Sequence, residues 1–496
     1  MKTVIGIDNG TQSTKVVFYD FEQKKITAQA SAPHDLVSRD DGTREQESSW
    51  WIDALSHCMN QISPDIKKTA VAAGVSGQQH GFVPVDEQGK VLTPVKLWCD
   101  TATVKQCKTI TEKYGGAKKL LDEVGNLILP GYTLPKIFWL KDNHPDVYRK
   151  MNKILLPHDY LNFYLTGNMV MEYGDASGTG LLDIREKKWS DPLLSVIDPA
   201  GTIKKALPQL INADQLCGTV AAVAAAQFGI PEGIPVSSGG GDNMMGAIGT
   251  GTVAEGVITM SLGTSGTMYG FSEKPVIDPE GNLAAFCSST GGWLPLLCTM
   301  NCTVSTTLVQ NLFQLSLEEI NEFAKKAQAG SNGIVNLPFY NGERTPNLPN
   351  GKGCFVGMDM NNVTRGNMIR ASMEAAIFGL KGGLESFRKL GFQAKEIRLI
   401  GGGANSSVWR QITSDILELP VVVPELQEAA ALGAALQALW ALEISRGKAV
   451  DIAEITDEHV ILQEGTATVP GSDSVMYRDV YATYKSYVNE LTDIFK

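Results

Sequence analysis

Two segments of the chain, about half a chain length apart, repeat one short pattern. Each has an apolar run, a Gly-Thr turn and a second strand-like run, and the segments are Ile5–Thr14 and Ile258–Thr267. The pattern predicts a β-hairpin in each half of the chain. Asp8 stands at the first turn where the second repeat has Ser261, so only one turn carries a carboxylate. Two homologous lobes account for both the spacing and the length of 496 residues.

Short apolar runs alternate with amphipathic stretches along the rest of the chain, which is typical of an α/β fold. The predicted strands are Thr3–Ile7, Lys15–Tyr19, Ala70–Ser76, Val257–Leu262, Glu396–Ile400 and Val421–Val423. The predicted helices are Ser48–Gln61, Leu317–Ala329, Thr364–Leu390, Ser406–Leu417, Ala429–Glu443 and Val475–Phe495. Hydrophobic residues make up 43% of the chain, which is enough for more than one core.

The charge balance argues against anionic partners. The chain has 43 Lys and Arg against 54 Asp and Glu, and a net charge of −11 repels nucleic acid and anionic lipid. No stretch reaches the roughly 20 apolar residues of a membrane helix, and the N-terminus lacks the apolar core of a signal peptide. Eight cysteines are too few for a disulfide framework. We therefore expect a cytoplasmic protein without nucleic-acid or membrane partners.

The first Gly-Thr turn combines a carboxylate with hydrogen-bond donors. Asp8 directly precedes a turn that contains Thr11, Ser13 and Thr14 and is followed by Lys15. Such donors suit a phosphate, but the carboxylate would repel it unless a cation such as Mg²⁺ lay between them. The ammonium of Lys15 could offset phosphate charge. The alternative is an Asx turn that closes the hairpin.

A second candidate is a run of three glycines, Gly239–Gly241, followed by Asp242 and Asn243. Three glycines cost backbone entropy, and they are expected where the backbone passes close to a ligand. Asp242 is predicted at the start of a helix, whose dipole favours the ionised carboxylate. An ionised carboxylate within reach of a hydroxyl is a candidate general base. The alternative is an aspartate that only caps the helix.

Two further strand ends carry candidate binding residues. Gln79 and His80 lie between glycines after a predicted strand, and their amide and imidazole groups suit a polyhydroxylated ligand. The segment Leu399–Ser407 is a strand, a glycine turn and a helix start that can lie against adenine or ribose. The alternatives are a structural histidine and an ordinary strand-to-helix turn. No GxxxxGK[ST] motif occurs, which excludes a standard P-loop.

The chain resembles the FGGY carbohydrate kinases from residue 3 to about residue 440. The segments that carry the resemblance are Gly131–Trp139, Leu155–Leu161, Asp175–Thr179, Ser261–Gly266, Leu337–Pro346 and Gly353–Glu374. The resemblance implies two ribonuclease-H-like lobes of the actin and hexokinase type with a catalytic cleft between them. The N-terminal lobe, residues 1–247, would bind sugar and carry the catalytic base, and residues 248–496 would bind ATP. A homodimer is implied by the family alone.

Carried over residue by residue, the resemblance gives each candidate a role. Asp242 matches the catalytic base, and Asp8 matches the carboxylate associated with Mg²⁺ and the phosphates. The expected sugar-binding residues are Gln79, His80, Trp98, Asp242 and Asn243. The expected ATP-binding residues are Thr11, Lys15, Thr264, Gly402, Gly403 and Ser407.

The implied reaction is transfer of the γ-phosphoryl group of ATP to the O5 hydroxyl of a ketopentose, with D-xylulose expected first. Two positions depart from the family pattern: Gln79 stands where relatives often have methionine, and Ala102 where they often have arginine. These departures leave the choice of sugar open and do not affect the reaction class. The alternatives are another pentulose or pentitol, such as D-ribulose, L-xylulose or D-arabinitol, a sugar sensor, or an actin-like ATPase.

Overall fold

The computed structural model describes residues 1–495, which form two compact units. The first unit contains Met1–Val253, Ser272–Pro295 and Glu428–Val460. The second contains Ala254–Phe271, Leu296–Gln427 and the described residues from Ile461 onward. The chain thus returns to the first unit twice. The assignment of sugar binding to residues 1–247 and of ATP binding to residues 248–496 stays a prediction.

A mixed sheet of seven strands forms the centre of the first unit. Its strands are β1 (Thr3–Asn9), β2 (Ser13–Asp20), β3 (Lys25–Pro33), β4 (Ala70–Gly77), β5 (Leu216–Thr219), β6 (Pro235–Ser237) and β7 (Gly240–Gly241). Their spatial order is β5-β6-β4-β1-β2-β3, and β7 also pairs with β4. β1, β4, β6 and β7 run parallel. The carboxyl ends of these parallel strands therefore lie at one edge of the sheet.

The helix Ala429–Ser445 packs directly on this sheet, and glycines permit the close approach. A Cβ atom on Gly6 would lie 1.9 Å from a carbonyl oxygen of that helix, and one on Gly74 would lie 2.1 Å from another. The same helix also contacts the helix Asp242–Gly249, where a Cβ atom on Gly433 would lie 1.8 Å from a carbonyl oxygen. Only glycine fits at these contacts, so the contacts fix the position of the helix that begins at Asp242.

Between β4 and β5 lies a long insertion that holds most helices of the first unit. Its helices are Val104–Tyr114, Ala117–Val124, Thr133–Asn143, Pro145–Tyr148, Pro157–Thr166, Tyr173–Ala176, Ser177–Thr179, Asp191–Ile197 and Thr202–Ala206. Its strands are Val83–Val85, Val95–Lys96, Lys153–Leu155, Val170–Glu172, Leu182–Asp183, Lys188–Trp189 and Gln209–Ile211. The insertion has an apolar core of its own. None of the helices predicted from the sequence falls within it.

The remaining elements of the first unit lie outside this sheet and the insertion. The helices are Ser48–Gln61, Pro64–Lys67, Ala222–Phe228, Asp242–Gly249, Ala429–Ser445 and Ile452–His459, and the strands are Val37–Ser38, Arg44–Gln46 and Ala284–Cys287. Trp51, Leu55 and Met59 on the first of these helices are buried in the core below β1 and β2. The first unit has a core under the sheet, another in the insertion, and a smaller cluster in which the insertion packs against Ala285 and Cys287.

The second unit contains a sheet of the same design. Its strands are β8 (Val257–Leu262), β9 (Gly266–Gly270), β10 (Trp293–Thr299, of which Leu296–Thr299 belong to this unit), β11 (Glu396–Ile400) and β12 (Val421–Val422). Their order is β10-β9-β8-β11-β12, with β8, β11 and β12 parallel and β9 antiparallel to both of its neighbours. The series β3-β2-β1-β4-β6 has the same order and directions. The duplication predicted from the repeat is confirmed.

Helices account for most of the rest of the second unit. They are Thr303–Phe313, Leu317–Lys326, Ser331–Gly333, Arg365–Lys389, Gly402–Asn405, Ser407–Leu417, Ser474–Leu491 and Thr492–Phe495. The strands Val335–Pro338 and Gly353–Val356 form an antiparallel pair. None of the helices within residues 1–495 combines the length and apolar character that a membrane crossing requires.

Candidate functional site

Three parallel strands of the first sheet bring the predicted carboxylates to one edge. Asp8 of β1 pairs in register with Ser76 of β4, and Gly240 of β7 pairs with Ser76 from the other side. Asp242 directly follows β7 and is the first residue of the helix Asp242–Gly249. The structure thus places Asp8 and Asp242 near one another in the first unit.

Asp242 is half-buried, and one of its carboxylate oxygens is held by its neighbour. The backbone N–H and the side-chain amide of Asn243 donate to Oδ1 at 2.8 and 3.0 Å. Within residues 1–495 no hydrogen bond reaches Oδ2. Burial raises the pKa of Asp242 to about 7, with further increases from Asp8 and Asp175 and a decrease from the Asn243 bonds. The helix N-cap is Gly241, so the capping alternative for Asp242 is wrong.

Asp8 is tied to the neighbouring strand rather than to its own turn. Its Oδ1 accepts a 2.8 Å hydrogen bond from Ser76 Oγ, and it lies inside β1, so the Asx-turn alternative is wrong. Burial raises the pKa of Asp8 to about 6; the bond from Ser76 and the charge of Lys15 lower it, and Glu428 raises it. No described residue donates a hydrogen bond to Oδ2. One carboxylate oxygen is therefore available for a cation or a water molecule.

Lys15 forms an ion pair with Glu428, a residue that sequence analysis did not single out. The distance from Lys15 Nζ to Glu428 Oε2 is 2.5 Å, and the two side chains are 36% and 40% exposed. Exposed pairs of this kind contribute roughly 0–1 kcal/mol. A phosphate can therefore compete with Glu428 for the Lys15 ammonium at little cost.

Gln79 belongs to the same hydrogen-bond network as Asp242. Asn243 Nδ2 donates to Gln79 Oε1 at 2.8 Å as well as to the Asp242 carboxylate. Gln79 is only 5% exposed, and its Nε2 has no hydrogen-bond partner in the described part of the chain. A buried amide donor without a partner is costly, and a ligand oxygen would satisfy it.

His80 is held in a conformation that few non-glycine residues adopt. Its φ is +63°, in the left-handed region. The imidazole ring lies 5.0 Å from the ring of Tyr132 and 5.4 Å from that of Phe286, measured between centroids. A Cβ atom on Gly178 would lie 2.1 Å from the imidazole, so the ring packs against bare backbone on that side. These contacts fix the direction of the imidazole.

Trp98 and Thr11 contact each other directly. The indole Nε1–H of Trp98 donates a 2.9 Å hydrogen bond to Thr11 Oγ1. The bond joins a residue expected to bind sugar to one expected to bind phosphate. Downstream, the backbone N–H of Ala102 donates to Asp100, whose carboxylate also pairs with Lys96 at 2.9 Å. The position where relatives often have arginine thus adds no side-chain donor here.

The candidate ATP-binding residues of the second unit lie on two loops that begin side by side. Ser261 of β8 pairs with Ile400 of the parallel β11, and each strand runs directly into a glycine turn. The exposed candidates are Thr264, Gly402 and Ser407, and nothing lies within 4 Å of a Cβ atom built on Gly402. Gly403 is buried, and a Cβ atom there would lie 2.8 Å from the Leu262 side chain.

The structure also reveals buried ionisable groups close to the sheet edge at which Asp8 and Asp242 lie. Lys136 donates to the carbonyl oxygen of His80 at 2.7 Å. His158 lies between two carboxylates, 3.0 Å from Asp175 and 2.9 Å from Asp159, and all three are almost fully buried. Asp175 raises the pKa of Asp242. A charged residue within an apolar run, such as Lys136 in Thr133–Asn143, was the signal available in the sequence.

The carboxylate of Asp8 fits a Mg²⁺ ion that takes its other ligands from water and substrate phosphates. No group of three or more His, Cys, Asp or Glu side chains suited to a metal occurs within the described residues. Mg²⁺ often keeps several waters and takes one or two carboxylates together with substrate phosphates. Asp8, with one oxygen bonded to Ser76 and one available, matches that arrangement.

Comparison with known proteins gives consistent matches along almost the entire chain. The N-terminal and C-terminal domains of the FGGY family of carbohydrate kinases match residues 3–249 and 258–442. A xylulose kinase of Haemophilus influenzae is 42% identical, over 98% of this chain and 99% of that protein. A crystal structure of a xyloylose kinase from Brucella ovis has a TM-score of 0.91 and 27% identity, over 99% of this chain and 100% of that one. A gluconate kinase from Lactobacillus acidophilus has a TM-score of 0.90 and 25% identity, over 99% and 98%.

Proposed function

The chain belongs to the FGGY family of carbohydrate kinases, and on this premise we propose that it phosphorylates D-xylulose at O5 with ATP. The sugar is supported by the Haemophilus influenzae relative, a xylulose kinase 42% identical over 98% of this chain. The observation that carries the proposal is the half-buried Asp242, whose Oδ2 accepts no hydrogen bond from any described residue and whose pKa is raised to about 7. Such a carboxylate can take a proton from a bound hydroxyl near neutral pH.

The proposed step is an in-line transfer of the γ-phosphoryl group in which Asp242 accepts the proton of the attacking hydroxyl. Asp242 Oδ2 orients the sugar hydroxyl and accepts its proton as the hydroxyl oxygen bonds to the γ-phosphorus. The bond between that phosphorus and the oxygen bridging to the β-phosphate breaks, and ADP leaves. Positioning and charge neutralisation dominate such reactions. Gln79 Nε2, Asn243, His80 and Trp98 are proposed to hold the sugar, with the indole of Trp98 oriented by its bond to Thr11.

The phosphate side of the site is proposed to contain the first-turn residues. Asp8 would hold Mg²⁺, directly or through water, and the ion would neutralise charge on the phosphates. Lys15 exchanges Glu428 for a phosphate oxygen, and Thr11 donates to the phosphates from the turn. Thr264, Gly402, Gly403 and Ser407 are proposed to bind ATP in the second unit. The cytoplasmic location and the homodimer stay predictions from the sequence.

ADP release with Mg-ATP across a panel of sugars tests the proposal. The panel contains D-xylulose, L-xylulose, D-ribulose, L-ribulose, xylitol, D-arabinitol and glycerol. We expect D-xylulose to give the highest kcat/KM, with the phosphate on O5 by ³¹P and ¹³C NMR. No stimulation by any of these compounds in a folded protein would overturn the proposal and favour a sugar sensor.

A second candidate is a kinase for another pentulose or pentitol. Gln79 and Ala102 favour it, because the first adds an unpaired donor and the second removes a guanidinium at positions where relatives often have methionine and arginine. The similarity to a gluconate kinase at a TM-score of 0.90 is consistent with one fold accommodating different sugars. A preference for one of the other compounds in the panel would favour this candidate and retain the mechanism.

A further inference from the structure

Lys136 is a completely buried lysine, and within residues 1–495 no carboxylate lies at hydrogen-bonding distance from it. Its Nζ donates to two backbone carbonyl oxygens, those of His80 and Gly131, both at 2.7 Å. Burial lowers the pKa of Lys136 to about 7, and the charge of Asp100 partly opposes this. Burying an ammonium is costly unless its hydrogen bonds compensate. The two carbonyl bonds are therefore the main interactions of this side chain.

The first of these carbonyls belongs to a strained residue. His80 has a φ of +63°, which costs a non-glycine residue roughly 1–2 kcal/mol. Thr133 Oγ1 donates to the same carbonyl oxygen at 3.2 Å, so the helix Thr133–Asn143 supplies two donors to it. These donors fix the peptide plane after His80 and thereby the direction in which the imidazole leaves the backbone.

The second carbonyl belongs to the turn beside Trp98. A Cβ atom on Gly131 would lie 2.6 Å from the carbonyl oxygen of Trp98, so these two backbones are in close contact. Lys136 therefore joins the segment that carries His80 to a turn that contacts the backbone of Trp98. Its side chain is itself inaccessible, at 0% exposure, and cannot touch a bound sugar.

We propose that Lys136 is a positioning residue for sugar recognition, which acts by holding the carbonyl oxygens of His80 and Gly131. The inference rests on the proposed function, because it requires that His80 and Trp98 contact the sugar. Lys136 sets the geometry of both segments before the sugar arrives, so its loss weakens sugar binding more than the chemical step.

The Lys136→Met variant tests this role, because methionine keeps most of the side-chain length and removes the donors. Losing hydrogen bonds from a charged donor is expected to raise the KM for the sugar roughly tenfold or more. The KM for Mg-ATP and kcat are expected to change less than about twofold. Thr133→Val removes the second donor to the same carbonyl at less risk to folding, and a smaller rise in the sugar KM is expected.

Lys67→Met is the matched control. Lys67 is also buried and donates to a backbone carbonyl, that of Met59, at 3.2 Å. It precedes β4, whereas His80 follows the other end of that strand. We expect Lys67→Met to lower the melting temperature without changing the sugar KM. An unchanged sugar KM in both Lys136→Met and Thr133→Val would overturn the inference.

A double-mutant cycle separates positioning from general destabilisation. In the His80→Ala background there is no imidazole to orient, so Lys136→Met is expected to cause a smaller loss of sugar affinity than in the wild-type background, with the remainder acting through the turn beside Trp98. Fully multiplicative losses would contradict action through His80. Failure of the proposed function is distinguishable, because it would appear in the wild type as the absence of sugar-stimulated ADP release.

Discussion

Asp242 has a carboxylate whose pKa is raised by burial and by two carboxylates to which it is not hydrogen-bonded. Burial and the charges of Asp8 and Asp175 raise its pKa to about 7. A general base must be deprotonated, so kcat/KM for the sugar is expected to fall tenfold per pH unit below about pH 7.

Replacing Asp175 by asparagine removes one of the charges that raise this pKa. The pKa of Asp242 then falls, and the acid limb of the pH profile of kcat/KM is expected to move to lower pH. Asp20→Asn is the matched control. Asp20 is a buried carboxylate that pairs with Thr3, roughly 17 Å along the strand pair from Asp8. A limb that stays in place in Asp175→Asn, or moves equally in Asp20→Asn, would contradict the coupling.

Asp8 is the second carboxylate at this edge and the candidate Mg²⁺ ligand. With Asp8→Asn we expect the affinity for ADP in the presence of Mg²⁺ to fall roughly tenfold, and the affinity without Mg²⁺ to stay within about twofold, because one ligand charge is lost. Isothermal titration calorimetry measures both. In the wild type the Mg²⁺ effect is expected to weaken below about pH 6, where Asp8 becomes protonated. An equal loss with and without Mg²⁺ would assign Asp8 another role.

At the scale of elements, the helix Ala429–Ser445 positions the helix that carries Asp242. A Cβ atom on Gly433 would lie 1.8 Å from a backbone carbonyl oxygen. Gly433→Ala is therefore expected to lower the free energy of unfolding by roughly 3 kcal/mol, as overpacking does. Chemical denaturation measures the change, and kcat is expected to fall as Asp242 is displaced.

Gly379→Ala is the control for this prediction. Gly379 is also in a helix, but the nearest atom to a Cβ there is 3.7 Å away. It is expected to stabilise the protein by roughly 0.5–1 kcal/mol, since alanine favours a helix. A neutral Gly433→Ala would mean that the two helices can separate without cost.

Local patterns predicted six strands of the two sheets and missed others, such as Lys25–Pro33 and Trp293–Thr299. All six predicted strands overlap observed ones, and Ser48–Gln61 matches its prediction at both ends. The predicted helix Val475–Phe495 is α-helical only over Ser474–Leu491 and continues as a 3₁₀ turn. The buried residues of this helix are Ser474, Tyr477, Tyr481 and Tyr484. The hydroxyl of the buried Tyr477 donates to Glu374 and accepts from Arg370. Helical periodicity does not reveal these two partners.

The candidate site residues that could be predicted are those with glycines as sequence neighbours. Three glycines precede Asp242, and glycines flank the segment that contains Gln79 and His80. The ion pair of Glu428 was missed because its partner Lys15 is 413 residues away in sequence. The hydrogen bond from Lys136 to the His80 carbonyl was missed because these two residues are 56 positions apart. A single sequence without structure contains no signal for contacts of that range.

On the scale of the whole molecule, the duplication gives two units, and each unit contains candidate site residues. Asp8 and Asp242 belong to the first unit, and the exposed Thr264 and Gly402 belong to the second. The sequence repeat predicted two lobes. It did not predict that Glu428–Val460 returns to the first unit, because the chain there continues as an ordinary helix.

This division predicts separable effects on the two substrates. Space is open around Gly402, so Gly402→Val is expected to leave the melting temperature nearly unchanged and to raise the KM for Mg-ATP roughly tenfold, with the sugar KM unaffected. Gly403→Val is the control, because a Cβ atom there meets Leu262 at 2.8 Å and stability is expected to fall. An unchanged KM for Mg-ATP in Gly402→Val would remove this loop from the nucleotide site.

The central claim is that Asp242 is the base of a sugar kinase. The most direct measurement compares D-xylulose-stimulated ADP release by the wild type and by Asp242→Asn, with sugar affinity measured on the same samples. We predict that the variant folds, binds the sugar within roughly tenfold of the wild type, and loses at least about a thousandfold in kcat. Sugar-stimulated ADP release by folded Asp242→Asn at a rate near that of the wild type would contradict the claim.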